Sequence, residues 1–502
     1  MSLAGTGVYG QLNNEDANIQ YRFQDLEDVL DNLGDIINHH VTYQRPRLEV
    51  LDEYYKGNNL TIMNRKSRSN SSKADNRIPN PYASYISGFV QGYLTGIPVK
   101  VGADDEKLKE LIDEVEEDSE VNHLNSELLL DLSKYGRAYE LVFYREGYGD
   151  KSVILDVANT FVIYDTSVTA EELCGVHYRL ISREGNLGVS GDIKVEVTLY
   201  TEDDVIVLKE TSLKEFEVEE DDDRTKAHSY GEVPIIEYRE DRNRQGDYEK
   251  VIPLIDAYDS QVSDISNHMS DMVESLLVIS GAVEGVDWEN VLKRMEDKNV
   301  LTLGEGVSRD GTSRPVTAEY IFKQYDVAGT DSVFNRLKSD IHKHSKVPDM
   351  SDEQFSNNAS GISMRYKLIG LEQLAGKKTR ALERGFNKRY RLFVTSKEFT
   401  GEVTGIEDTK LTYKWTVNIP ENIEDELKAF VDAGGELSQE SLLSTLSFIA
   451  SPEAEKKRLL SEKMGVTVEE LNKLTAEELR ELITLTRGSK LVNDEEAEEV
   501  LV

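Results

Sequence analysis

Residues 251 to 276 carry a heptad. Val251, Ile255, Tyr258, Val262, Ile265, Met269, Met272 and Leu276 succeed one another at alternating intervals of four and three. Between them lie Asp256, Asp259, Ser260, Gln261, Ser263, Asp264, Ser266, Asn267 and His268. This spacing predicts a long helix with a narrow apolar seam and a polar opposite face. A core helix of a globular domain shows a wider stripe. The seam therefore asks for a few neighbours of its own kind, through assembly or at the edge of its own domain.

The 502 residues suffice for about two to four domains. With 95 acidic against 58 basic residues, the formal net charge is −37. Such a chain lacks the general basic surface that grips phosphates, though it can surround DNA without holding it. Thirty per cent charged and 38 per cent hydrophobic residues describe a folded rather than a disordered chain. The single cysteine, Cys174, excludes an intrachain disulfide and a cysteine-rich metal site and fits a reducing compartment. The N-terminus shows no basic-then-apolar leader, and no apolar run of about 18 residues occurs, so neither a signal peptide nor a membrane span is expected.

The pattern along the chain is α+β. Residues 18–55 and 80–135 read as mostly helical, with Phe23, Leu26, Val29, Leu30, Leu33 and Ile37 at helical spacing. The polar, locally basic stretch 58–78 between them reads as an exposed loop. Alternation and β-branched residues predict strands at 138–144, 152–155, 161–165, 175–182, 194–201, 203–208 and 233–238. A compact insert at about 283–325 holds a short helix (288–295), strands at 299–303 and 315–322, and a Gly-rich turn. A second helix is expected over 328–346, with Phe334, Leu337, Ile341 and His344 on one stripe, and a third over 362–395. Strands at 398–404 and 409–417 follow, then helices over 421–502, where Thr467-x-x-Glu470 and Thr475-x-x-Glu478 have the form of capping boxes.

No catalytic constellation emerges. Gly370 to Gly376-Lys377-Lys378-Thr379 approaches a phosphate-binding loop, but the spacing is one residue too long and Lys378 stands where the magnesium-binding hydroxyl belongs. His342 and His344 cannot share a helix face. No His-Glu-x-x-His and no Gly-x-Ser-x-Gly occur. No enzyme activity, cofactor or metal site is expected. The charge anomaly is 365–391, where nine basic residues face only Glu372 and Glu383, a local +7. Lys377, Lys378, Arg380, Arg384, Lys388 and Arg389 are its candidates for contact with a neighbouring subunit or with DNA. The alternative is a solvated face that offsets carboxylates of the same chain. Finally, the polar stretch 347–361 is long for a helix–helix connection, and such stretches are usually functional or disordered.

Local sequence adds a likeness. Tyr54-Tyr55-Lys56-Gly57-Asn58 is followed by Asn76-Arg77-Ile78-Pro79-Asn80-Pro81-Tyr82 and by Gly88-Phe89-Val90-Gln91-Gly92-Tyr93-Leu94-Thr95-Gly96-Ile97-Pro98. Val233-Pro234 and Leu254-Ile255-Asp256 with Tyr258-Asp259 come next. In that order, over about residues 45–420, the chain resembles the portal (head–tail connector) proteins of tailed double-stranded DNA phages, in the branch from siphoviruses of Gram-positive hosts. The resemblance implies a portal fold with a wing (1–249), a first stem helix (250–280) and a clip (281–327) carrying Trp288, Arg309 and Arg314. A second stem helix (328–346), a tunnel loop (347–361), a wing helix with strands (362–420) and a helical crown (421–502) complete it.

It also implies a ring of about twelve subunits at one capsid vertex. Double-stranded DNA would be packaged and ejected through its channel, driven by a separate ATPase. Terminase, scaffold, major capsid and head-completion proteins would be partners, with assembly in the host cytoplasm, a place in the virion and no membrane contact. The tunnel loop would aim Asp349, Met350, Ser351, Asp352, Glu353, Gln354, Phe355, Ser356, Asn357 and Asn358 toward DNA. The seam would pack on another stem helix, and the Asp- and Ser-rich face would look toward water and DNA. The competing readings are a nucleotide-using packaging enzyme and an acidic cytoplasmic scaffold.

Overall fold

The computed structural model describes residues 8–68, 74–103, 105–117, 119–181, 194–272, 276–280, 306–307, 313–314, 317–321, 327–350, 361–401, 403, 406, 410–418 and 458. Residues 1–418 form one compact unit and residues 419–502 another, of which Arg458 alone is described. The helices and capping boxes expected beyond 421 lie outside the described residues.

A short helix α1 (Val8–Leu12) and strand β1 (Arg22–Phe23) precede helix α2 (Leu26–His39). Asp25 caps α2 by accepting the Asp28 amide at 2.9 Å. Pro46 has no N–H to donate, and just before it the helix loosens into a π turn over His40–Gln44, resuming as α3 (Arg45–Tyr55). Next come α4 (Leu60–Met63), α5 (Tyr82–Thr95), β2 (Lys100–Ala103), α6 (Glu106–Glu117) and α7 (Ser119–Tyr135).

Strands then take over where alternation predicts them: β3 (Arg137–Arg145), β4 (Gly149–Leu155), β5 (Thr160–Asp165), β6 (Glu172–Ile181), β7 (Lys194–Tyr200) and β8 (Asp204–Val207). Two short strands that alternation does not reveal, β9 (Thr211–Ser212) and β10 (Lys226–Ala227), precede β11 (Ile235–Arg239). One sheet runs β1-β5-β6-β7-β8-β10 with β9 on β7, and β1 joins β5 in parallel. A second runs β11-β3-β4, all antiparallel. The class is α+β, as the sequence indicates.

Strand β5 separates two cores. Phe161 and Ile163 face Val29, Leu33 and Ile37 of α2 together with Val176, Val195 and Val197. Val162 and Tyr164 face Leu48, Tyr139, Leu141 and Ile235. Successive strand residues point to opposite faces, so β5 is buried on both faces from Thr160 to Tyr164, whereas β7 alternates. Burying each such aliphatic side chain contributes about 1.5–3 kcal/mol before entropy is counted.

Three long helices follow: α8 (Ile252–Met272), α9 (Val327–Ser345) and α10 (Gly361–Thr400). The heptad overreaches here. The helix expected to 280 stops at Met272, and Leu276 opens strand β12 (Leu276–Ser280). The run Leu276-Leu277-Val278-Ile279 stays in phase with the heptad by coincidence. Its β-branched residues and its antiparallel partner, residues Thr317–Ile321, favour the strand. Gly306–Val307 pairs with Ser313–Arg314, which places Arg314 by its backbone, whereas Trp288 and Arg309 lie outside the described residues, as do the helix at 288–295 and the strand at 299–303.

The first residues of the strand expected at 398–404 are instead the last turn of α10, which ends before Gly401 at φ +76, and residues 402 and 404 lie outside the described residues. Residues Leu411–Lys414 form a strand on β2, so the chain after α10 is tied back to the early helical region.

Candidate functional site

Helix α8 turns its polar face inward. Asp256, Asp259, Ser263 and Asn267 form a stripe that is almost completely buried. Asp259 accepts hydrogen bonds from Asn59 Nδ2 at 2.8 Å and from the backbone N and Nδ2 of Asn80 at 3.1 and 2.8 Å. Asp256 accepts from Tyr54 Oη at 2.7 Å and from the Tyr9 hydroxyl. Ser263 Oγ accepts the Ile78 amide at 2.9 Å, and Asn267 exchanges two hydrogen bonds with the backbone of Asn76. For these four residues this overturns the expectation that the Asp- and Ser-rich face looks toward water and DNA, whereas Asp264 on the same helix is exposed. The amides of residues 76–80 belong to no helix or strand, and buried backbone donors must find acceptors. The stripe supplies them.

The stretch 58–78, expected as an exposed loop, is exposed at Asn58, Met63, Asn64, Lys66 and Ser67 but is tied down on either side of residues 69–73, which lie outside the described residues. Asn59 Oδ1 caps α4 by accepting from the amides of Thr61 and Ile62. Arg65 reaches Asp75 at 3.4 Å and Asp264 at 3.2 Å.

Asp259 must be acceptor-only, because Asn59 spends its oxygen on the cap and can offer only N–H. An Asp259→Asn protein must set its NH2 against Asn59 Nδ2 or against the two Asn80 donors, and at pH 7 it is expected to lose about 1–3 kcal/mol in a urea titration. Burial raises the Asp259 carboxyl to about 6, against donation from Asn80 and Asn59, which lowers it. The ordinary value is about 3.9. Ionisation is thus disfavoured in the fold: its cost is present above pH 6 and is relieved as pH falls toward 4. After discounting for solvent screening, the parent should gain up to about 1 kcal/mol on the non-titrating variant between pH 7 and 5.

Along the seam, Val251 and Ile255 are buried, Tyr258, Val262 and Ile265 are half-buried, and Met269 is 51 % exposed. The side chains of Met272 and Leu276 lie outside the description. The Tyr258 ring meets Phe334 of α9 at 5.3 Å and Tyr82 of α5 at 5.3 Å, both steeply edge-on. The seam therefore finds an intrachain partner at its first turns and keeps free apolar surface further along. On α9, Ile341 is buried, Phe334 and Leu337 are half-buried, and His344 is exposed and off the stripe expected of it.

The end of α9 forms a fixed root for the segment after it. Lys346 adopts a left-handed backbone at φ +63. His342 Nδ1 faces the Val347 carbonyl at 3.1 Å, Lys338 pairs with Asp349 at 2.7 Å, and Tyr85 Oη donates to the Pro348 carbonyl at 2.8 Å. The rings of Tyr82 and Tyr85 stand edge-on to His342 at 6.0 and 5.7 Å. These groups, with Asn80, Pro81 and Met350, line an open cleft of about 550 Å³. Of the expected loop residues, Asp349 and exposed Met350 are placed. Ser351, Asp352, Glu353, Gln354, Phe355, Ser356, Asn357 and Asn358 lie outside the described residues. Tyr82 and Tyr85 were not singled out as site residues, although Asn76–Tyr82 is part of the segment that carries the family likeness.

The cations of α10 are mostly turned inward, which corrects their assignment to a subunit or DNA contact. Lys378 is fully buried between Glu240 at 2.9 Å and Asp247 at 3.0 Å. Burial alone would push its ammonium down, but Asp247 and Glu240 hold it up. Burial would likewise raise the Glu240 carboxyl, and Lys378 and Lys377 pull it down. Arg389 grips Glu140 through two N–H groups at 2.6 and 2.9 Å and reaches Asn125 at 2.8 Å. Lys388 donates to the Ile235 carbonyl at 2.9 Å and to Glu172. Lys377, partly exposed, pairs with Glu240 and Asp241, each at 3.0 Å. Arg380 and Arg384 alone of the six are exposed, beside a cleft of about 740 Å³ that also holds Glu171, Glu232 and Glu383. The near-match to a phosphate loop lies in mid-helix, where it forms no loop at all.

Among the described residues, no helix is long and apolar enough to cross a membrane, and no three metal-ligating side chains cluster. The family model for the phage portal protein, SPP1 Gp6-like, matches residues 35–467. The portal protein of Bacillus phage SPP1 is 23% identical over 401 residues, covering 78% of this chain and 76% of that one. The portal protein of Clostridium phage phiCD119 is 22% identical over 366 residues, covering 69% and 78%. Two solved structures, the necks of an empty and of a native GTA particle computed with C6 and C12 symmetry, align at TM-scores of 0.43 and 0.41 with 11% and 12% identity. Each covers 73% of this chain and 90% of the other. Those two likenesses are too loose to carry an argument about fold or symmetry. The family match spans most of the sequence, and the chain therefore belongs to the SPP1 Gp6-like family of phage portal proteins.

Proposed function

We propose that the chain closes head-to-tail into a ring of about twelve copies, the heterologous arrangement that a rotation able to close permits. The ring stands at one capsid vertex and passes double-stranded DNA inward during packaging and outward during ejection. The observation that carries this reading is the pairing of α8 with α9, braced against the 54–80 segment and followed by a segment whose root is locked by Tyr85, Lys338 and His342. A channel needs a stiff wall with an adjustable constriction. Helices α8 and α9 supply the wall, and residues 349–358 the constriction.

The apolar seam at half-buried Val262 and Ile265 and exposed Met269 meets a neighbouring stem, and Arg380 and Arg384 face the adjoining wing. The acidic chain, whose α10 cations are mostly engaged internally, lets phosphates slide instead of gripping them. The clip, with Trp288, Arg309 and Arg314, docks the terminase and later the head-completion proteins. Residues 421–502 face the capsid interior, where scaffold and major capsid proteins assemble around the ring in the host cytoplasm. The chain itself catalyses nothing, and the motor's ATPase is a separate protein.

Deleting residues 351–358 is expected to leave the mass of the assembled oligomer unchanged while stopping DNA packaging into proheads. Normal packaging by the deletion variant would overturn the loop assignment, and loss of the oligomer would overturn the separation of wall from constriction.

A further inference from the structure

Aromatic rings gather where α10 ends. Among the described residues the three most exposed aromatic side chains are Phe399, Tyr148 and Tyr144, at 78, 66 and 57 %. The next, Tyr9 and Tyr43, stand at 38 %. Single exposed apolar side chains are ordinary, but a group of them marks a contact surface.

The three belong to one place. Tyr144 and Tyr148 lie in the β3–β4 hairpin, where Tyr144 stands opposite Asp150. Asp150 accepts a hydrogen bond from Ser396 Oγ of α10 at 2.9 Å, so the hairpin tip rests on the last turns of that helix. Phe399 comes three residues after Ser396 and therefore follows it along the same side of the helix. Tyr148 flanks a pocket of about 160 Å³ together with Leu111, Val115, Leu124 and Phe393. The Arg145 guanidinium lies over the Tyr148 ring at 4.6 Å. Leaving these rings in water gains the subunit nothing, and aromatic side chains and Arg are the groups that concentrate at protein interfaces.

The position of this cap selects its partner. Helix α10 begins at Gly361, shortly after the fixed root at Met350, and its 40 residues rise over about 60 Å. The sheets crowd its far half, where Lys388 meets Glu172, Arg389 meets Glu140 and Ser396 meets Asp150. About twelve such domains cannot share the space beside a duplex, so in the proposed ring this end points outward. Neighbouring copies meet flank to flank, and what lies beyond the rim is the capsid shell.

We propose that Tyr144, Tyr148 and Phe399 form the surface on which the capsid shell subunit docks, through an apolar patch of its own. This rests on the ring reading above. A ring of about twelve copies seated in a shell vertex of lower symmetry meets shell subunits in several relative orientations. Apolar contact has no set direction and tolerates this, whereas hydrogen bonds and paired charges need a fixed geometry.

The test takes the full-length chain assembled with its shell and scaffold proteins. A protein carrying Tyr144→Ser, Tyr148→Ser and Phe399→Ser should form rings of the parent's mass by native mass spectrometry, because none of the three is buried in the subunit. Heads assembled with it should lack the ring that heads assembled with the parent carry. Loss of the ring itself would make the cap a contact between copies and overturn the proposal, as would heads that take up the variant as readily as the parent. A photoreactive benzophenone on Tyr148→Cys names the partner, since the buried Cys174 takes no label. Irradiated heads should join position 148 to a shell subunit, and a join to another copy of this chain or to scaffold refutes the proposal. A parent that forms no rings sinks the ring reading and this proposal with it, whereas rings with normal uptake of the variant sink this proposal alone.

Discussion

An Arg389→Ala protein is expected to unfold at much lower urea than the parent, with a loss of about 3–5 kcal/mol followed by circular dichroism at pH 7. Both partners of the Arg389–Glu140 pair are essentially unexposed, at 1 and 0 % of side-chain area. Truncation leaves the Glu140 carboxylate with only the Tyr238 hydroxyl, at 2.5 Å, in a place water cannot reach. The loss comes from the stranded charge more than from the attraction removed. The double replacement Arg389→Met with Glu140→Leu should therefore recover most of it. A single-variant loss below about 1 kcal/mol, the level of a surface pair, would show that α10 is not pinned here.

Lys378→Met and Lys377→Met should differ sharply despite being neighbours. Lys378 is the shared partner of Glu240 and Asp247, whose side chains are 5 and 1 % exposed. Its removal strands the buried Asp247 carboxylate and leaves Glu240 with Lys377 as its remaining cation, and a loss of about 3–5 kcal/mol is expected. Lys377 is 41 % exposed, and its replacement should cost no more than about 1 kcal/mol. Denaturation of the two variants side by side checks this. Equal effects would mean that the basic run acts as a uniform surface. A weakened oligomer with an intact subunit in Lys378→Met would restore the subunit-contact reading.

These two lysines mark where sequence stops informing. Composition shows a basic helix in an acidic chain, and periodicity places Leu371, Leu374 and Leu382 on its packed face. Nothing local tells that Lys378 turns toward Glu240 and Asp247, more than a hundred positions earlier in the chain. The strands of the wing were legible because each alternates or runs apolar within itself. The seam was legible for its first turns and misleading at Leu276, since a run of four apolar residues fits a heptad and a strand equally well. The buried polar stripe of α8 was missed for a definite reason. Polar residues opposite a seam are normally solvated, and only the unpaired amides of Ile78 and Asn80 explain why these are not. The segment carrying those amides was visible as Asn76–Tyr82. Its role in bracing a helix far away in sequence was not.

The central claim is a ring with a channel, and imaging tests it most directly. Negative-stain electron microscopy of the purified full-length chain should show rings of about twelve subunits with a central opening. A protein that remains monomeric at every salt and protein concentration would contradict the account.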